Sequence, residues 1–155
     1  MSINLRQYIR PECFITNLAE TTREAALKKI VDGIAAAGII TKPQDALAKL
    51  MDRENIQSTA VGNGIAIPHC FTEEVKDLVI VVARAPAGVS FDSFDGEPTR
   101  VVFLLMGNRQ EHVLHLKALA RIARLIKSTQ FIEKIIAAGT VEDMVRAFDE
   151  EEAKI

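Results

Sequence analysis

Three histidines, His69, His112 and His115, are the side chains of this sequence best suited to covalent or proton-transfer chemistry. His69 closes the segment Gly62-Asn63-Gly64-Ile65-Ala66-Ile67-Pro68-His69. An unperturbed imidazole titrates near pH ~6.5, so its neutral form is available as a nucleophile, an acid/base or a metal ligand. The residue follows a strand-ending proline beside a turn, and strand ends are where α/β folds put ligands. A loop histidine with no chemical duty fits the same position. His112 and His115 are three apart on a helical pattern, and His69 could join them as third ligand of a metal that keeps an open position for hydrolytic water. Against that reading, the pair lacks the four-residue spacing and the glutamate of the helical zinc motif. A histidine on an apolar helix face is also more often a hydrogen-bonded core residue.

Other groups could assist. Arg53 carries a planar guanidinium suited to phosphate or carboxylate, although an arginine closing a helix is ordinarily there for the dipole. Ser58 and Thr59 bring hydroxyls able to bind phosphate oxygens, and such residues equally cap or turn. Cys70 beside His69 suggests a Cys-His nucleophile, but neighbours on an extended chain point to opposite sides, which favours a passive cysteine. Asp92, Asp95 and Glu97 fail the register of a calcium loop and read as a hairpin turn. Gly62 and Gly64 begin a dinucleotide-like motif that Ile67 breaks at the third glycine position.

The elements that must hold these residues follow from periodicity. Thr21 with Glu24 fits a capping box, Leu27, Ile30, Val31 and Ile34 recur at helical spacing, and Gly38 stands where a terminating glycine belongs. Pro43 opens a second helix with apolar Ala46, Leu47, Leu50 and Met51, ending near Arg53. Residues 58–61 and 65–67 read as short extended runs around an Asn-Gly turn, with Pro68 ending regular pairing. Residues 78–83 and 100–106 read as strands buried on both faces. A third helix from about Gln110 carries His112, His115, Leu116, Leu119, Ile122, Ala123 and Ile126. A short helix over residues 128–138 and a last one started by Thr140 and Asp143 complete the set, with 149–152 expected as a solvated acidic tail. The expectation is one α/β domain over residues 1–155, with a central mixed sheet of four to five strands flanked by helices on both sides.

Composition narrows the function. The chain of 155 residues balances 19 Lys and Arg against 21 Asp and Glu, so no broad positive field is offered to nucleic acid or to an anionic membrane. Aromatic content of 5% with no Trp removes the stacking platforms of single-strand binders. Hydrophobic residues at 48% suffice for a globular core, and no apolar stretch reaches the roughly 20 residues that span a bilayer. Two cysteines and no signal-like N-terminus point to the cytoplasm.

Together, Arg53-Glu54, Ser58-Thr59, the Gly62-to-His69 segment and His115-Leu116 resemble the fructose/mannitol-type enzyme IIA family of the bacterial phosphoenolpyruvate-dependent phosphotransferase system, which includes a nitrogen-regulatory branch. The resemblance continues through Ser90-Phe91-Asp92 and Asp95-Gly96-Glu97-Pro98 to the final helix. It implies a phosphohistidine carrier: His69 accepts a phosphoryl group on Nε2 from the general histidine phosphocarrier protein. The group then passes to a IIB component or serves as a regulatory signal to target proteins. It implies catalytic roles for Arg53 and His115 beside His69, with Ser58 and Thr59 as secondary phosphate contacts. No cofactor, metal, nucleic acid or membrane insertion is implied. Two positions depart from the family pattern, Cys70 where a small residue is usual and the bulky Phe71 after it. Phe71 could rim a docking surface or tuck into the core. A protein-binding module of the same fold and a histidine-ligated metal hydrolase are the competing readings.

Overall fold

Valine-rich and isoleucine-rich runs in the middle of the chain form the heart of one sheet, and everything chemical hangs from its edge. The computed structural model describes residues 3–155. In chain order its elements are β1 (Phe14–Ile15), α1 (Arg23–Ala36), α2 (Pro43–Ile56), β2 (Ala60–Gly62), β3 (Ile65–Ala66) and β4 (His69–Phe71). These are followed by β5 (Leu78–Val89), β6 (Thr99–Gly107), α3 (His112–Ser128), α4 (Phe131–Ala137) and α5 (Val141–Glu152). Single turns of 3-10 helix cover Leu5–Tyr8, Pro11–Cys13 and Arg109–Glu111.

The sheet order is β1-β5-β6-β3-β2, with β4 also paired to β6. β5 and β6 are antiparallel, placing Ile80 opposite Leu105 and Val82 opposite Phe103. β3 and β4 share the other side of β6, both parallel to it, with Ile65 beside Val101 and His69 beside Leu105. The mixed sheet has six strands rather than four to five, because β1 and β4, at two and three residues, are too short to leave a period-two pattern. Residues 78–83 and 101–107 are buried without alternation, as they must be when both faces are covered. α1 pairs with α2, and α4 pairs with α5. Phe103 meets Phe131 at 5.2 Å between ring centroids, and Phe131 meets Phe148 edge-on at 5.5 Å, locking β6, α4 and α5 together.

Several boundaries move by a residue or more. The cap of α1 is Thr22, whose Oγ1 accepts from the Ala25 N–H at 3.3 Å, one residue past the expected Thr21. Gly38 does end that helix, at φ 79°. α2 runs to Ile56, three residues past Arg53, and α4 begins at Phe131, where the Thr129 hydroxyl closes α3 by donating to the Leu125 carbonyl and accepts the Phe131 N–H at 3.2 Å. Asp149 and Glu150 are exposed as expected, but Glu151 and Glu152 are 0% and 4% exposed, so the second half of the acidic run is a buried anchor and not a solvated tail. Among the described residues no helix is long and apolar enough to cross a membrane.

Candidate functional site

Pro68 interrupts the pairing along β6 without ending it. Its nitrogen has no hydrogen to donate, but its carbonyl accepts from the Leu105 N–H at 3.0 Å, and the ladder resumes at His69. His69 is therefore the first residue of a strand, and the expectation that pairing stops before it is corrected. Alternation along β4 turns Cys70 inward, 7% exposed, and leaves His69 and Phe71 half-buried on the opposite face. Burial pushes the Cys70 thiol up to about 11, which keeps it protonated and passive. The Nδ1 of His69 lies 2.8 Å from the Ile67 carbonyl oxygen. A carbonyl only accepts, so this contact assigns the proton to Nδ1 and leaves the lone pair on Nε2.

His115 stands in the first turn of α3, 3% exposed, its ring centroid 5.6 Å from that of His69 and 4.7 Å from that of Phe71. Burial, and secondarily the charge of His69, pushes its pKa down to about 4, so the ring is neutral near pH 7. Neither ring nitrogen has a hydrogen-bond partner among the described residues. The close seat depends on Gly107, where an added Cβ would lie 2.6 Å from His115 Nδ1.

α2 packs on β4 and brings Arg53 to the same groove as His69. The groove, of about 1180 Å³, is walled by Lys49, Arg53 and Ile56 from α2, His69 and Phe71 from β4, and Asn108 and Arg109 after β6. Arg53 Nη1 donates to the Gln57 carbonyl at 2.9 Å, capping the end of α2. The other guanidinium N–H groups make no hydrogen bond among the described residues, leaving donors for an anion.

Ser58 and Thr59 are not brought to this groove. The Ser58 hydroxyl donates to the Phe91 carbonyl, and the Thr59 hydroxyl donates to the carboxylate of Glu54. Glu54 also receives the Thr59 N–H at 3.2 Å and stands 3.5 Å from Arg23 Nη1. Reading the hydroxyls from sequence missed this acceptor, although a signal existed. Glu54 continues the four-residue spacing of buried Ala46 and Leu50, and a carboxylate on such a stripe requires donors. His112 is exposed at the start of α3. Among the described residues no three His, Cys, Asp or Glu side chains gather where a metal could be held.

Comparison with known proteins agrees with this geometry. The family described as "Phosphoenolpyruvate-dependent sugar phosphotransferase system, EIIA 2" matches residues 7–151. A nitrogen regulatory protein of Bradyrhizobium diazoefficiens is 34% identical over 131 residues, covering 84% of each chain. The mannitol-specific phosphotransferase enzyme IIA component of Bacillus subtilis is 33% identical over 148 residues, 93% of this chain and 98% of that one. Among solved structures, the complex of enzyme IIAMTL and phosphorylated enzyme IIBMTL from Escherichia coli superposes with a TM-score of 0.75 at 19% identity. That match covers 92% of this chain and 99% of the other. A half-exposed imidazole with its Nε2 free, an arginine-lined groove and a match along nearly the whole sequence lead to one assignment: the chain belongs to the EIIA 2 family of the phosphoenolpyruvate-dependent sugar phosphotransferase system.

Proposed function

We propose that the chain is a cytoplasmic phosphohistidine relay in which Nε2 of His69 takes a phosphoryl group from the general histidine phosphocarrier. The observation that carries this reading is the Ile67 carbonyl at His69 Nδ1, which leaves the nucleophilic lone pair on the other nitrogen of a half-buried ring. The lone pair attacks phosphorus; the new N–P bond forms as the donor's N–P bond breaks, and that electron pair returns to the donor's ring. No proton has to move. The Nδ1–H keeps donating to the Ile67 carbonyl, whose oxygen stabilises the positive charge the ring carries when bonded at both nitrogens.

Phosphoryl transfer asks mainly for positioning and for donors matched to charge on the equatorial oxygens. Arg53 supplies a guanidinium fork from the end of α2. His115, neutral and without a partner for its ring N–H, offers a second donor that adds no charge of its own. Ser58 and Thr59, engaged elsewhere, are left out. Onward transfer to a IIB component fits the IIA–IIB complex of the structural relative, and a regulatory output fits the nitrogen regulatory relative. Identities of 34% and 33% do not separate the two branches.

Incubation with phosphoenolpyruvate and the two general phosphotransferase proteins will give an acid-labile mass increase of one phosphoryl group. His69→Ala will lose it and Cys70→Ala will keep it; label surviving in His69→Ala overturns the assignment. Arg53→Ala will slow transfer by about tenfold while shifting stability by less than ~1 kcal/mol, since its one bond is a helix-end cap. Transfer onward to a IIB protein, scored by mass, separates a sugar carrier from a regulator.

A further inference from the structure

We propose that Arg109 is a second guanidinium for the phosphoryl group on His69, held in place by Phe71; the assignment rests on the relay reading above. The Arg109 Cζ lies 4.9 Å from the Phe71 ring centroid, the Phe71 ring lies 4.7 Å from His115, and His115 lies 5.6 Å from His69. One packed series of flat groups thus runs from the nucleophile to the arginine, and Arg109 walls the same groove as His69 and Arg53.

The turn that carries Arg109 is fixed at its base. Asn108 donates from Nδ2 to the Val75 carbonyl at 3.0 Å and from its backbone N–H to the Asp77 carbonyl at 3.1 Å. Its Oδ1 accepts the Gln110 N–H at 2.9 Å. The arginine side chain itself has no carboxylate within ion-pair distance and no hydrogen bond among the described residues. Contact with the face of an aromatic ring orients a guanidinium without using its N–H donors. Phe71, the bulky residue that departs from the family pattern, serves as the platform.

Charge favours a pair of guanidinium groups. A phosphoryl group spreads roughly −1.5 to −2 charges over three oxygens, and one guanidinium fork meets two of them. Asp52 and Glu73 also line the groove, so the positive potential there has to come from Lys49, Arg53 and Arg109 together.

The test is a phosphorus-NMR pH titration of the purified phosphorylated chain, free of donor, for wild type, Arg109→Ala, Arg109→Lys, Phe71→Leu and Lys117→Ala. A guanidinium against the phosphoryl oxygens lowers the second ionisation of the group, so Arg109→Ala will raise that midpoint by about half a pH unit or more. Arg109→Lys will recover part of the shift and Phe71→Leu will show the same shift in smaller measure. Lys117→Ala, an equal loss of charge on the exposed side of α3, will leave the midpoint in place. A midpoint unchanged in Arg109→Ala, or moved equally by Lys117→Ala, overturns the assignment. A wild-type chain that takes no phosphoryl group overturns the relay reading with it, whereas a labelled wild type with an indifferent Arg109→Ala overturns this inference alone.

Discussion

At the scale of single residues, two histidines 5.6 Å apart are given opposite tasks by their surroundings. His69 has a carbonyl to hold its proton and lines the groove; His115 has no such carbonyl and is held neutral by burial. This has a consequence for stability. The unfolded chain protonates His115 near pH 6.5, while the folded chain resists protonation until about pH 4, so between those values the unfolded state binds more protons. Stability from this residue is present above pH ~6.5 and is lost as pH falls toward 4, by an amount on the order of 3 kcal/mol. Glu74 and Asp95, both held below the usual carboxylate range by hydrogen bonds from Thr41 and from Ser93, contribute their losses at the acid end of that window and beyond it. Denaturant unfolding at pH 7 and pH 5 will therefore show a smaller drop for His115→Phe than for wild type. Equal drops would mean that His115 takes up its proton without opposition in the fold. Residue type singled out His69, and the family resemblance added Arg53 and His115 to the expected site. The partners of Ser58 and Thr59 were not legible, because a hydroxyl states that it can bond and not to which partner; the Phe91 carbonyl takes the one and Glu54 the other.

Elements translate those residues into a geometry, and here sequence was an uneven guide. Helices α1, α2, α3 and α5 were legible because each has long apolar periodicity; α2 and α5 have their opening proline and capping threonine at the expected place, and α1 is capped one residue later. β4 was not legible. Three residues after a proline carry no pattern, and their pairing with Leu105, Met106 and Gly107 is set by β6, thirty-odd positions on. The sequence also gives no sign that Gly107, unremarkable at the end of a strand, is the only residue type that lets α3 bring His115 so near. A methyl there would lie 2.6 Å from Nδ1 of a ring that is itself buried, 3% exposed. Gly107→Ala will cost about 1–3 kcal/mol by overpacking. In His115→Ala the same methyl gains room, so the double variant will be more stable than the sum of the single losses by about 1 kcal/mol or more. Additive losses in urea unfolding would show that the end of β6 and the start of α3 do not meet through this pair.

Across the whole molecule, the two ends of the chain are fastened by the carboxylates that composition alone marked as solvated. Glu152 Oε2 accepts the Leu5 N–H at 2.6 Å and the Arg121 Nε–H at 2.7 Å, and its Oε1 accepts the Arg6 N–H at 3.1 Å. Glu151 Oε1 accepts the Gln130 N–H at 2.9 Å, and its hydrogen bond from Lys154 holds its carboxyl below the usual range. α5 thus adds carboxylate acceptors to the turn at Leu5–Tyr8, beside the Asn4 cap, and to the start of α4, beside the Thr129 hydroxyl. We expect residues 3–155 to unfold as one cooperative unit on this account. Glu152→Ala strands the buried amide of Leu5 and leaves Arg121, a largely buried cation, without its carboxylate. Losing one partner of such a set costs about 3 kcal/mol, whereas Asp149→Ala, whose carboxylate is half-exposed beside Arg6, should cost less than ~1 kcal/mol. Hydrogen exchange gives the decisive reading. If the chain is one unit, Glu152→Ala lowers protection of β5 and β6 amides by the same free energy as the midpoint of unfolding falls. If the N-terminal turn is a separate flap, only the amides of residues 5–9 lose protection and the sheet keeps its own, so the C-terminal carboxylate would be holding a flap and not the fold.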